Sequence, residues 1–155
     1  RDSKLMTARQ RGRWAGKIRA TAVAWAVGWA ACEEIDSLGI LPATRLAMQR
    51  AVAQLGLPPE HLLIDAVRLT ALPLPQTSLV RGDQRSLSIA AASVLAKTAR
   101  DGRMQELDEQ FPVYGFAAHK GYGPARHQRA LDELGPCPQH RLSFAPLRAR
   151  LPGAA

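Results

Sequence analysis

Between residues 20 and 32 the chain alternates: Val23, Trp25, Val27 and Trp29 fall on one side, and Ala22, Ala24, Ala26, Gly28 and Ala30 on the other. A period of two is the period of a β-strand, so the pattern predicts a strand with one bulky and one small face. The small face predicts close approach by another element, a helix. Ahead of it, residues 6–20 accept a helix, with Trp14 and Ile18 one turn apart. Behind it, residues 42–55 place Met48, Ala51, Val52 and Leu55 at helical spacing and end at Gly56, with Pro58 and Pro59 barring any continuation.

Residues 61–66 are a short apolar run ending in Asp65, which predicts a buried strand. A proline-rich loop through Pro73 and Pro75 leads to a second short strand, 77–81, followed by Gly82 and Asp83. A long helix is expected from Ser86 to about Phe111. Its first half is built of small residues (Ala90, Ala91, Ala92, Ser93, Ala96), its second half is anchored by Met104, Leu107 and Phe111, and Pro112 stops it. A loop rich in glycine and aromatics, 114–123, precedes a helix over about 124–134, closed by Gly135 and Pro136. Strands separated by helices, with connections too long for hairpins, predict an α/β fold with a partly parallel sheet. No repeat or low-complexity linker interrupts the chain, and a length of 155 residues suits one domain, 1–155.

Charge sharpens this picture. The chain carries a formal net charge of +8. Residues 1–20 hold seven of its basic side chains (Arg1, Lys4, Arg9, Arg11, Arg13, Lys17, Arg19) against one acid, Asp2, so +6 of the surplus lies there. Such a surplus favours a polyanionic partner. A basic helix with few apolar anchors suits phosphate contact better than membrane insertion. The apolar run 20–32 is too short to span a bilayer, and no signal peptide is visible. Cys32 and Cys137 lie far apart and lack metal-ligand spacing, as do His119, His127 and His140. The cysteines read as reduced thiols of a cytoplasmic protein, and the histidines as loop or surface residues.

The C-terminal ends of strands are where α/β folds bind ligands, and Asp65 and Asp83 both stand there. Carboxylates converging without a basic partner require a cation between them, and hard oxygen donors suit Mg²⁺ or Mn²⁺. Each acid also has a plainer reading from the sequence: Asp65 as the cap of the turn that follows it, and Asp83 as the cap of the helix beginning near Ser86.

The run from Gly82 to Asp101, GDQRSLSIAAASVLAKTARD, resembles a segment of the ribonuclease HII family: a Lys-Gly-Asp turn, then a Ser/Ala-rich helix ending in Ala-Lys-x-x-Arg-Asp. Further motifs are similar in the same order. They are Asp2-Ser3-Lys4-Leu5; Glu34-Ile35-Asp36 through Ile40 with Ala43-Thr44 and Ala47-Met48; and Leu63-Ile64-Asp65. Tyr114-Gly115-Phe116 with His119-Lys120-Gly121-Tyr122-Gly123 follows, and then His140-Arg141 with Ser143-Phe144.

The resemblance implies a ribonuclease H-like fold, a mixed sheet flanked by helices with a C-terminal helical region. It implies endonucleolytic hydrolysis of the RNA strand of RNA–DNA hybrids, and at ribonucleotides embedded in duplex DNA, by two-metal-ion catalysis with Mn²⁺ or Mg²⁺. The products would carry 5′-phosphate and 3′-hydroxyl ends, and the protein would be a cytoplasmic monomer without a membrane partner. Residue by residue, Asp65 matches the strand-end metal ligand and Asp83 the acid of the Lys-Gly-Asp turn, which here reads Arg81-Gly82-Asp83. Asp101 matches an acid read as structural. Tyr122 matches the tyrosine that packs on the sugar at the ribose-to-deoxyribose junction, where the 2′-hydroxyl distinguishes the two. Lys4 and Lys120 match phosphate contacts. The family's Asp-Glu-Ala-Gly-Arg-Gly segment, carrying the other two acids, has no counterpart in these residues. The expectation is therefore a sheet without its first strands and a site with half its ligands. Its alternative function is that of a catalytically impaired fragment that binds hybrids without cutting them.

Overall fold

The computed structural model describes residues 3–119, 123–145 and 147–150. The helices are α1 (Ala8–Thr21), α2 (Cys32–Leu38), α3 (Ile40–Ala53), α4 (Gly82–Arg85), α5 (Leu87–Gln110), α6 (Phe116–His119) and α7 (Ala125–Leu134), and the strands are β1 (Leu62–Asp65) and β2 (Gln76–Leu79). The chain forms two compact units, Arg1–Trp29 with Thr44–Ala99, and Ala30–Ala43 with Arg100–Ala155.

In the first unit, α1 starts at a reciprocal cap. The Thr7 hydroxyl accepts the Gln10 N–H at 3.2 Å, and the Gln10 side chain accepts the Thr7 N–H at 2.9 Å, so two amides that lack partners within the helix are satisfied. The helix packs through Ala15 and Ile18, with Met6, on Val94 and Leu95 of α5. Trp14, expected as an anchor, instead stands 48% exposed with Lys17 Nζ 5.1 Å from its ring centroid. Arg11 also departs from expectation. It is buried, and its guanidinium donates to the carbonyls of Ser3 and Met6, so it braces the turn before the helix rather than facing a phosphate.

Residues 22–29 do not form the expected strand. β1 and β2 pair with each other, and no strand among the described residues pairs with 22–29. Alternation assigns side chains to faces, but a strand also needs a neighbouring backbone to exchange hydrogen bonds with. The faces themselves match the pattern. Val23 is 91% exposed and Trp25 and Trp29 are nearly half exposed, with the Arg19 guanidinium 4.8 Å from the Trp25 ring centroid. On the small side, Gly28 lies against α3, where a Cβ would fall 1.9 Å from the Ala47 carbonyl oxygen and 2.5 Å from the Ala51 nitrogen. Arg50 of α3 fixes the same approach by donating to the Trp29 carbonyl at 2.8 Å.

The two strands are parallel, in register from Leu62 opposite Gln76 to Asp65 opposite Leu79. Leu62 and Ile64 point inward and pack with Leu69, Met48 and Val52, while Leu63 and Asp65 point outward. The proline-rich connection is closed by the Gln76 side chain, which accepts the Leu69 N–H at 2.9 Å and donates to the carbonyls of Leu69 at 2.9 Å and Leu72 at 3.0 Å. One amide thus satisfies three backbone groups that no ladder reaches.

The second unit is built on Met104, Leu107, Tyr114, Phe116, Ala130, Leu131, Cys137 and Leu147, with Phe111 against them. Asp36 of α2 holds its C-terminal turn by accepting the N–H groups of Leu142 at 2.8 Å and Ser143 at 2.9 Å, together with the Ser143 hydroxyl. Partial burial pushes the Asp36 carboxyl up, but the hydrogen bonds from Ser143 and Leu142 and the charge of Arg141 outweigh it and hold the group below its ordinary value. Burial raises the thiols of Cys32 and Cys137, and both are free cysteines. His127 and His140 are not the surface residues expected: they are 6% and 8% exposed. His127 shares the inner face of α7 with Ala130 and Leu131, three and four residues on.

Candidate metal-binding carboxylates

The end of β1 and the turn after β2 are joined by one side chain. Beyond Asp65 the ladder makes a last bond, from the Ala66 N–H to the Leu79 carbonyl at 3.0 Å, and the chain turns sharply as the Val67 N–H reaches the Asp65 carbonyl at 2.7 Å. Ala66, at the centre of that turn, has φ +58°, and Arg81, beyond β2, has φ +54°. Two non-glycine residues in the left-handed region, one after each strand, mark backbone held against its own preference. The Arg81 conformation swings the following N–H inward, and Gly82 donates it to Asp65 Oδ1 at 2.8 Å. Asp83 is the next residue, in the single turn of α4, and is half-buried.

The plainer roles for these acids are filled by other groups. The turn after Asp65 is closed by backbone atoms, and its carboxylate serves the opposite strand's turn instead. At the start of α5 the Ser86 hydroxyl accepts the Ile89 N–H at 3.5 Å. Neither Asp65 nor Asp83 enters an ion pair with the described residues. Adjacent strand ends therefore bring forward two carboxylates whose negative charge no side chain neutralises. The donor set is all oxygen and suits a hard divalent cation, which in the case of Mg²⁺ takes one or two carboxylates and completes its shell with water and phosphate oxygens. Among the described residues no group of three or more His, Cys, Asp or Glu is gathered to hold a metal ion.

The remaining candidates are scattered. Lys4 stands exposed in the short 3₁₀ turn Ser3–Leu5. Asp101 lies within α5, half-buried. Lys120 and Tyr122 lie outside the described residues. The sequence reading missed Gly82 as a contributor through its backbone. A glycine between a strand end and an acid was the available signal, since a Cβ there would fall 2.6 Å from Ile89 Cδ1. No helix among the described residues is long and apolar enough to cross a membrane.

The fold and its paired strand-end acids define an α/β chain of the type 2 ribonuclease H kind. It is similar to the crystal structure of the ribonuclease H2 from Pyrococcus horikoshii OT3, with a TM-score of 0.78 over 96% of this chain and 78% of that one; at 21% identity the likeness is one of fold. The sequence narrows this further. Residues 1–147 match the model of the family Ribonuclease HII. The chain is 59% identical to the ribonuclease HII of Roseiflexus castenholzii, over 94% of this chain and 65% of that protein. It is 50% identical to the ribonuclease HII of Syntrophotalea carbinolica, over 97% and 72%. The chain belongs to the ribonuclease HII family, and spans about two thirds of the length of these relatives.

Proposed function

We propose that the protein hydrolyses the RNA strand of RNA–DNA hybrids endonucleolytically, including at ribonucleotides embedded in duplex DNA, and that Asp65 and Asp83 serve as metal ligands at its site. The observation that carries the reading is the convergence of these two unpaired carboxylates at adjacent parallel strand ends, in a chain of the ribonuclease HII family. A divalent cation such as Mn²⁺ or Mg²⁺, when bound, supplies Lewis-acid polarisation of the scissile phosphate and a water of lowered pKa. The chain's own part is positional. Gly82 fixes one oxygen of Asp65 through its N–H, leaving Oδ2 for a cation, and the turn at Arg81 sets Asp83 beside it. Exposed Lys4, with Arg9, Arg13, Lys17 and Arg19 on α1, offers positive charge to the phosphate backbone of the duplex, and Lys120 and Tyr122 are proposed as further contacts.

These 155 residues supply two ligands, which favours a second reading for them taken alone: binding of hybrids without cleavage. Both readings are tested with a labelled duplex bearing one ribonucleotide. The polypeptide carried to the length of its relatives should incise it with Mn²⁺ or Mg²⁺, leaving 5′-phosphate and 3′-hydroxyl ends, and Asp65→Asn should abolish incision. The 155-residue chain should bind the duplex in a salt-dependent way with no metal requirement. An intact duplex after incubation with the longer polypeptide and metal would refute the assignment.

A further inference from the structure

In the second unit, Tyr114, His127 and His140 form a chain of hydrogen bonds whose direction is fixed at both ends. The Tyr114 carbonyl oxygen can only accept, so its 3.0 Å contact with His127 Nδ1 puts a hydrogen on that nitrogen. At the far end the Cys137 N–H is aimed at His140 Nδ1 from 3.0 Å, which makes that nitrogen an acceptor. The Cys137 carbonyl is already satisfied by the His140 N–H at 3.0 Å, and the Cys137 thiol lies 3.1 Å from the same ring nitrogen. The neutral His140 ring then carries its hydrogen on Nε2, which lies 3.3 Å from His127 Nε2 and donates to it. The two rings are stacked, with centroids 5.2 Å apart, and the Tyr114 ring meets His140 edge-on at 4.8 Å. Buried polar groups satisfied in one arrangement only rigidify what they join.

What they join are the two flanks of residues 115–123. Tyr114 immediately precedes this segment, and His127 lies in the first turn of α7, which follows it. The Tyr114 hydroxyl ties the near flank to the Gly135 carbonyl at 2.8 Å, and the Gln128 side chain ties the far flank to the Gly123 carbonyl at 3.2 Å. The segment carries Lys120 and Tyr122 in the sequence.

We propose that His127 and His140 are positioning residues for nucleic-acid binding by Lys120 and Tyr122, acting through the His127–Tyr114 link that sets the separation of the segment's two ends. This rests on the reading of the chain as a hybrid-binding protein. His127→Phe keeps the ring and removes both nitrogens, while His127→Asn keeps a donor where Nδ1 stands. Hybrid affinity, read by fluorescence anisotropy at fixed salt and at a temperature where every variant is folded, should fall about three- to tenfold in His127→Phe, the loss expected for one net hydrogen bond. His127→Asn should recover most of it, and Mn²⁺ affinity should be unchanged in both. Equal affinity of His127→Phe and wild type would overturn the proposal, as would His127→Asn binding as weakly as His127→Phe. Independently of any variant, ¹H–¹⁵N spectra of the wild-type imidazoles should show His127 protonated at Nδ1 and His140 at Nε2, and the reverse tautomers would also overturn it. Tautomers as assigned in a wild-type protein that does not bind the hybrid would remove the nucleic-acid reading, and the positioning role with it.

Discussion

Gly82 and Asp65 are joined across the two strand ends by a 2.8 Å hydrogen bond from a backbone N–H to a carboxylate oxygen. The bond has two consequences. It locks the Asp65 side chain on the exposed side of β1 instead of leaving it to rotate, and it ties the turn carrying Asp83 to the end of the neighbouring strand. A glycine is required because Ile89 Cδ1 already occupies the space a Cβ would take, 2.6 Å from its position.

Gly82→Ala should therefore disturb the site as well as the fold. Ile89 is buried and must turn away, a misfit of about 1–3 kcal/mol. The urea midpoint should fall accordingly, and Mn²⁺ affinity should fall with it because Asp65 Oδ1 lies 3.4 Å from the new Cβ. Unchanged metal affinity in a folded Gly82→Ala would separate this glycine from the site.

Gly28→Ala should be more damaging than its distance in sequence from any candidate ligand suggests. The obstruction is backbone, the Ala47 carbonyl at 1.9 Å, which cannot rotate aside as a side chain can. Displacing α3 from the 22–29 segment should cost about 3 kcal/mol. Gly12→Ala, with nothing within 4 Å of the added carbon, is the matched control and should melt at or above wild type.

Leu69 is 2% exposed and touches the packing shared by the two strands and α3. Leu69→Ala should destabilise by about 2–5 kcal/mol, read from denaturant unfolding. A loss below about 1 kcal/mol would show that the site collapses around the deletion.

Asp36 gives the second unit a defined pH dependence. Its folded carboxyl titrates below the ordinary value of 3.8, so its contribution is complete above that pH and is lost as the pH falls through the lower, folded value. Asp36→Asn should melt a few degrees below wild type at pH 7, with the gap constant down to about pH 5 and closing below pH 4. A gap that closes between pH 7 and pH 6 would assign the effect to another group.

The elements were legible in the chain where their periodicity was strong. The helices expected over 6–20, 42–55, 86–111 and 124–134 and the strands ending near Asp65 and Arg81 all form, each within a few residues of its expected bounds. So was the close approach at Gly28, from the small face of the alternating run. Three features were not legible, for physical reasons. The 22–29 segment has the alternation of a strand, but pairing depends on a neighbour that periodicity cannot report. Arg11 and Trp14 exchange the roles their chemistry suggests, because a three-residue turn offers Arg11 two carbonyls while close packing on α5 suits Ala15 better than an indole. His127 and His140 are buried because they satisfy one another, and a partner thirteen residues away leaves no local mark. At the candidate site, the two acids were visible from their places at strand ends, whereas the Gly82 N–H became visible only with the left-handed turn at Arg81.

The most direct test of the central claim, that Asp65 and Asp83 are ligands of one divalent cation, is Mn²⁺ binding followed by electron paramagnetic resonance in wild type, Asp65→Asn and Asp83→Asn. The account predicts binding by the wild type and a loss of at least about tenfold in each variant with the fold retained. Equal Mn²⁺ affinity in all three proteins would contradict it.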